Sequence, residues 1–94
     1  MEILVMGGTE FVSSSIAQYL IERGNKVDIF SRGRNSVNYN GVRNHIKGDR
    51  KSVTDLKKGL NKKVYDIVFD ISAYTKEDVE LLTLFLDRSK LKNY

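Results

Sequence analysis

The 94 residues contain no cysteine, so the chain has neither a disulfide framework nor a thiolate metal site. Histidine occurs once, at His45, which excludes within one chain any catalysis or metal binding that needs two imidazoles. Proline is absent altogether, and the chain shows no internal repeat and no low-complexity tract. No apolar run approaches the roughly 20 residues needed to span a bilayer. The N-terminus lacks the basic region, apolar core and cleavage site of a signal peptide. A cytoplasmic protein without a membrane partner is therefore expected. The length allows at most one small domain.

What charge there is leans basic. The net charge is +4, and its densest part is residues 31–52, SRGRNSVNYNGVRNHIKGDRKS. That segment reads as a solvated surface or as a phosphate-binding edge. A nucleic-acid stripe would be more basic and more aromatic.

Strand and helix patterns alternate along the chain. Glu2 to Met6, EILVM, is a continuous apolar run that suits a strand buried on both faces of a parallel sheet. Ile16, Ala17, Leu20 and Ile21 then recur at helical spacing, with Arg23 and Gly24 as stop signals. Lys26 to Phe30 reads as a second strand, and His45 to Gly48 as a short third one after a long loop from Gly33 to Asn44. A brief helix over about Ser52 to Leu60 follows, then a fourth strand, Tyr65 to Ser72. The last helix runs from Thr75 to Ser89, opened by a capping box at Thr75 and Asp78. It carries one apolar face of Val79, Leu82, Phe85 and Leu86 and a second of Leu81 and Leu84, as expected of a helix buried on two sides. Such alternation implies βαβ units with right-handed crossovers and helices on both faces of the sheet.

The first strand-to-helix turn, MGGTEFVSSS, has the setting of a dinucleotide loop but not all of its glycines. Three glycines serve three needs in such a loop: the tight turn, the approach of backbone to pyrophosphate, and close packing of the helix on the sheet. Gly7 keeps the turn, with Gly8 beside it, and Ser13 is small enough for the packing. Glu10 puts a β-carbon and a negative charge where a dianion would come, so its carboxylate must turn to solvent or meet Arg32 or Arg34. The alternative is a glycine turn in some other α/β fold.

At the end of the second strand, an NAD-binding fold expects an acidic residue about 20 positions on from the loop. That position falls near Ser31, followed by Arg32, Gly33 and Arg34. A hydroxyl and two guanidiniums suit a 2′-phosphate, so NADP is preferred over NAD. Asp28, in mid-strand, should point elsewhere.

Together these pieces resemble the N-terminal Rossmann part of the extended short-chain dehydrogenases, the NAD(P)-dependent sugar epimerase/dehydratase group. ILVMGGTEFVSSSIAQYLIERGNKVDIFSRGR resembles that family's opening strand, glycine loop, helix and second strand; HIKGDRKSVTDL its third strand and Gly-Asp motif; YDIVFDISAY its fourth strand. The loop without its middle glycine, with SRGR and GDR, is more similar to an atypical branch of nucleoside-diphosphate-sugar epimerases and chloroplast stem-loop RNA-binding relatives. The resemblance implies a three-layer α/β fold with a partial parallel sheet of strand order 3-2-1-4. It also implies roles: the backbone of Gly7, Gly8, Thr9, Glu10, Phe11 and Val12 around the pyrophosphate, and Ser31, Arg32 and Arg34 at the adenosine ribose. Asp49 would meet the adenine amino group with Arg50 beside the ring, and Ile71, Ser72 and Ala73 would line the ribose and nicotinamide half.

The family's chemistry uses a Tyr-x-x-x-Lys pair, in which lysine and cofactor lower the tyrosine pKa. Four positions after Tyr19, Tyr39, Tyr65 and Tyr74 stand Arg23, Arg43, Phe69 and Asp78, and Tyr94 comes last. The expectation is a single dinucleotide-binding domain, residues 1–94, cut from a longer protein, inactive alone, with catalytic and substrate parts elsewhere. The parent's substrate would be a nucleotide sugar. The fourth strand would be an apolar sheet edge, inviting a homo-oligomer through residues 64–89. A non-catalytic nucleotide- or RNA-binding protein is the alternative. His45 reads as a surface residue at a strand start, Asp66 and Asp70 as solvated strand ends rather than an acid pair, and Lys57, Lys58, Lys62 and Lys63 as a solvated face.

Overall fold

The computed structural model describes residues 1–7, 11–32, 37, 39–70, 76–84, 86–87 and 91. Its main sheet is built from β1 (Glu2–Met6), β2 (Lys26–Ser31), β3 (Val42–Lys47) and β5 (Ile67–Asp70) in the order β3-β2-β1-β5, with every pair parallel. This is the expected order 3-2-1-4; the numbering shifts because a two-residue strand, β4 (Lys63–Val64), precedes β5 and pairs with β6 (Leu86–Asp87). The helices are α1 (Phe11–Glu22), α2 (Val53–Leu60) and α3 (Lys76–Leu84).

The apolar runs land where the pattern puts them. Ile3, Leu4, Val5 and Met6 are all buried, because β1 lies between β2 and β5 and is covered on both faces. Alternation along the strands splits the interior into two layers. Ile3, Val5, Val27 and Ile29 face Ala17, Leu20 and Ile21 of α1. Leu4, Met6, Phe30 and Val68 face Leu56 and Leu60 of α2 and Leu82 of α3. A three-layer α/β arrangement follows.

Local chemistry sets the helix ends. Gly24, just past α1, has φ +87°, the left-handed conformation that closes a helix. Ser52 caps α2, its hydroxyl accepting from the Asp55 N–H at 3.2 Å, and Asn61 ends it in the left-handed region. The capping box expected at Thr75 and Asp78 lies on residues whose side chains are not described.

Several expected boundaries move. β3 begins at Val42 rather than His45, which shortens the long loop from its C-terminal side. Its polar first half pairs because β3 is an edge strand that buries little there. The fourth main-sheet strand begins at Ile67, and Tyr65 precedes it, buried, with its hydroxyl on Asp28. The last helix stops at Leu84, because Leu86 and Asp87 pair with β4 while Lys62 Nζ binds the Leu84 carbonyl at 2.6 Å. Its two apolar sides differ: Leu82 is buried and Leu81 packs on the same core, but Leu84 is 63% exposed.

Candidate functional site

Four parallel strands end side by side, and the candidate residues follow them. Met6 of β1 pairs with Phe30 of β2 and with Asp70 of β5, while Ser31 pairs with Lys47 of β3. The carboxyl rim therefore carries Gly7 after β1, Ser31 and Arg32 at β2, Gly48, Asp49 and Arg50 after β3, and Asp70 at β5. In open α/β sheets the crevice outside the carboxyl ends of the strands is where ligands bind.

Gly7 makes the turn. Its φ is +109°, its N–H binds the Phe30 carbonyl at 2.7 Å, and a β-carbon there would lie 3.4 Å from Ser13 Oγ. Any side chain would strain this backbone, whose positive φ suits glycine, while a β-carbon itself would only touch the helix. Ser13, at the third glycine position, is 1% exposed, so a small residue packs there as expected. The backbone of Phe11 and Val12 opens α1, whose N-terminus, the positive end of the helix dipole, begins within four residues of Gly7. The described residues thus fit a pyrophosphate: a turn without a side chain, followed by a helix N-terminus.

The second and third strands are tied at the rim, where the Gly48 N–H binds the Ser31 carbonyl at 2.8 Å. Gly48 suits this tight place, because a β-carbon would come to 3.0 Å from Asp55 Cβ and 3.1 Å from the Phe30 ring. Asp49 is held by its backbone: its N–H binds Asp55 Oδ2 at 2.8 Å, and its carboxylate accepts the Lys51 N–H at 2.9 Å. Arg32 Nη2 lies 3.9 Å from Asp49 Oδ1, with both side chains about half exposed. The residues expected at the two ends of adenosine are therefore neighbours, with polar atoms open to solvent.

Arg50 differs from its neighbours. Its side chain is only 7% exposed and forms an ion pair with Asp70, itself 3% exposed. Arg50 thus links the loop after β3 to the end of β5 beneath the rim. This corrects the reading of Asp70 as a solvated strand end. Asp66 is corrected too, since its carboxylate accepts the Glu2 N–H at 2.8 Å. Gly8, Thr9, Glu10, Arg34, Ile71, Ser72 and Ala73 lie outside the described residues.

His45 was not expected at the site. It stands inside β3, half-buried, with Nε2 2.7 Å from Ser31 Oγ. Burial, with Lys47 nearby, holds its pKa below the usual histidine range. The signal was in the alternation: His45 pairs with Ile29, so it shares the face on which Ser31 lies two residues on.

A second polar cluster lies below, in mid-sheet. Asp28 is fully buried on the α2 face, as alternation required. Its two oxygens accept from Arg43 Nε at 2.9 Å, Arg43 Nη2 at 3.0 Å, Asn44 Nδ2 at 3.1 Å and the Tyr65 hydroxyl at 2.6 Å. The register places Val27 opposite Val42 and Asp28 opposite Asn44, so Arg43 is the extra residue of a bulge, which aims it at Asp28. Burial raises the Asp28 pKa, but the bonds from Arg43, Tyr65 and Asn44 outweigh it and hold it below the usual range. The same partnership pushes the Tyr65 phenol well up, burial being the larger cause. This cluster lies three residues before Ser31 in register, its carboxylate fully taken up by neighbouring side chains, and is structural. Among the described residues no group of histidine and acidic side chains is arranged to hold a metal, and no helix is long and apolar enough to cross a membrane.

Comparison with known proteins places this rim in context. Residues 3–85 match the model of the NAD dependent epimerase/dehydratase family, which brings with it a nicotinamide dinucleotide as cofactor. The chloroplast stem-loop binding protein of 41 kDa b from Arabidopsis thaliana is 30% identical over 92 residues, covering 84% of this chain and 24% of that protein. The chain therefore spans about a quarter of that relative's length. In fold, it is similar to a solved UDP-glucose 4-epimerase, with TM-score 0.73 at 15% identity over 97% of this chain and 33% of the other. It is also similar to the Bordetella bronchiseptica enzyme WbmG in complex with NAD, with TM-score 0.62 at 17% identity over 81% of this chain and 26% of the other.

Proposed function

The chain belongs to the NAD dependent epimerase/dehydratase family, and from that premise we propose that it is the NADP-binding part of a sugar epimerase/dehydratase-like protein. One observation carries the reading: Gly7, Ser31, Arg32 and Asp49 converge at the carboxyl ends of three adjacent parallel strands, beside the start of α1. The backbone at Gly7 to Val12 holds the pyrophosphate. Ser31 and Arg32 hold the ribose end, and Asp49 accepts from the adenine amino group. Arg50 acts beneath the ring, through Asp70, rather than against it.

The preference for NADP rests on charge. The side chain at the end of β2 is a hydroxyl, not a carboxylate, and the half-exposed Arg32 guanidinium beside it offers a planar fork to a phosphate. Calorimetric titration with NADPH and NADH tests this. Tighter NADPH binding that Arg32→Ala abolishes, with NADH affinity little changed, is expected. Clearly tighter NADH binding refutes the preference. The substrate of the whole protein is proposed to be a nucleotide sugar, on the strength of the family.

RNA binding is a second reading, favoured by the name of the Arabidopsis relative, a stem-loop binding protein. The basic segment 31–52 offers less to it than its composition suggests. Of its six basic side chains, Arg43 is committed to Asp28 and Glu2, and Arg50 to Asp70. Stem-loop RNA retained at physiological salt would favour it. Self-association through residues 64–89 is also proposed, because among the described residues β5 ends the sheet and Leu84 is exposed. A monodisperse monomer in sedimentation at high concentration overturns it.

A further inference from the structure

His45 and Ser31 sit where the dinucleotide reading above, on which this inference rests, puts the adenosine ribose. Ser31 is the last residue of β2, and its hydroxyl lies 2.7 Å from His45 Nε2 on the α1 side of the sheet. A serine hydroxyl carries one proton and two lone-pair sites, whereas each ring nitrogen of histidine either donates or accepts. When Nε2 carries no proton, the hydroxyl must give its proton to that nitrogen and meets a ligand with lone pairs only. It can then accept from a ribose 2′-hydroxyl and cannot donate to a phosphate. When Nε2 is protonated, the ring donates and the hydroxyl proton can be turned to a phosphate oxygen; on acidification both ring nitrogens carry protons, which fixes this arrangement and puts an imidazolium charge behind it.

We propose that His45 is a specificity-determining residue of the cofactor site, the proton on its Nε2 deciding whether Ser31 presents an acceptor to an unmodified ribose or a donor to a 2′-phosphate. Among the described residues, the charged and titratable groups around it leave this role to His45. Lys47 lies two residues along the same strand, and with burial it keeps the ring mostly neutral at pH 7. Arg43, also on β3, is held by Asp28 and Glu2. On β2, Arg32 follows Ser31 and lies 3.9 Å from Asp49. On the α1 side, Tyr39 packs in the aliphatic layer, where burial raises its pKa and keeps it neutral, and Glu22 of α1 is exposed. A 2′-phosphate raises the His45 pKa by attraction, so its binding takes up a proton and tightens as the pH falls.

The test titrates the chain with 2′,5′-ADP and with 5′-AMP at about pH 8 and about pH 5.5, either side of the histidine range. His45→Leu and His45→Gln are measured alongside, the glutamine keeping a polar group beside Ser31 should leucine disturb the strand. The preference for 2′,5′-ADP should grow on the order of tenfold on acidification, the worth of one charge-assisted hydrogen bond. It should change far less in both variants. The phosphate's own proton, with pKa about 6, affects all three proteins alike and cancels in the comparison. A preference that is flat with pH, or that grows equally in the variants, overturns the role of His45 while leaving nucleotide binding intact. Failure of both nucleotides to bind at either pH overturns the dinucleotide reading, and this inference with it.

Discussion

Replacing Asp28 with asparagine should cost this chain far more than its near-identity of shape suggests. All four groups around the carboxylate are donors: two from Arg43, one from Asn44 and one from Tyr65. Asparagine supplies one oxygen and one NH2, so whichever way it turns, two donors face an NH2. Tyr65 can rotate its hydroxyl and accept, but Arg43 has no lone pair to offer. The loss combines an unmet buried donor with the removal of one of the two carboxylates that Arg43 pairs with, Glu2 staying in place, about 3 kcal/mol. Against a total of about 5–15 kcal/mol for an ordinary domain, that is a large share. It corresponds to a fall in Tm of roughly 10–20 °C for a chain of this size. Guanidinium unfolding followed by circular dichroism measures it directly. The pH dependence supplies a second check. The folded pKa of Asp28 is depressed, so its contribution is present above the unfolded value of about 4 and is lost as pH falls through the lower folded value. The gap between wild type and Asp28→Asn should therefore be full at neutral pH and narrow below about pH 4. A variant within about 1 kcal/mol of wild type at pH 7, below the ordinary cost of an unmet buried group, would refute the reasoning.

Three further outcomes follow from the rim. Arg50→Met leaves the Asp70 carboxylate buried without its ion-pair partner and should lose about 3 kcal/mol or more in denaturant unfolding, most of it recovered when Asp70→Leu is added. Gly48→Ala drives a β-carbon toward Asp55 and the Phe30 ring and should cost about 1–3 kcal/mol by the same measurement. Ser52→Ala removes the cap of α2 and should cost about 1 kcal/mol, read as a small drop in Tm.

The architecture was legible where the physics is local or strongly patterned. The apolar run Glu2 to Met6 could only be a strand covered on both faces, and Ser52 opens its helix as its side chain requires. The glycine turn was legible from Gly7, and its φ of +109° bears out the need for glycine there. The polar pairings were not legible, because they depend on register. Nothing in VRNHIK announces that one extra residue would aim Arg43 at Asp28, or that His45 would meet Ser31 across the strands. Asp70 looked like a solvated strand end until Arg50, twenty positions away, turned inward to meet it. The end of the last helix was missed because the β4–β6 pair that stops it comprises only two residues a strand, too short for any periodicity to show.

The most direct test is a heteronuclear NMR titration of the chain with NADPH, reading each backbone amide. The shifts should concentrate at Gly7, the first turn of α1, Ser31, Arg32 and Asp49, with the amides of Asp28, Lys63 and Val64 little moved. Saturable binding whose shifts cluster away from the carboxyl ends of β1, β2 and β3, or no shifts with either NADPH or NADH, would contradict a dinucleotide site at that rim.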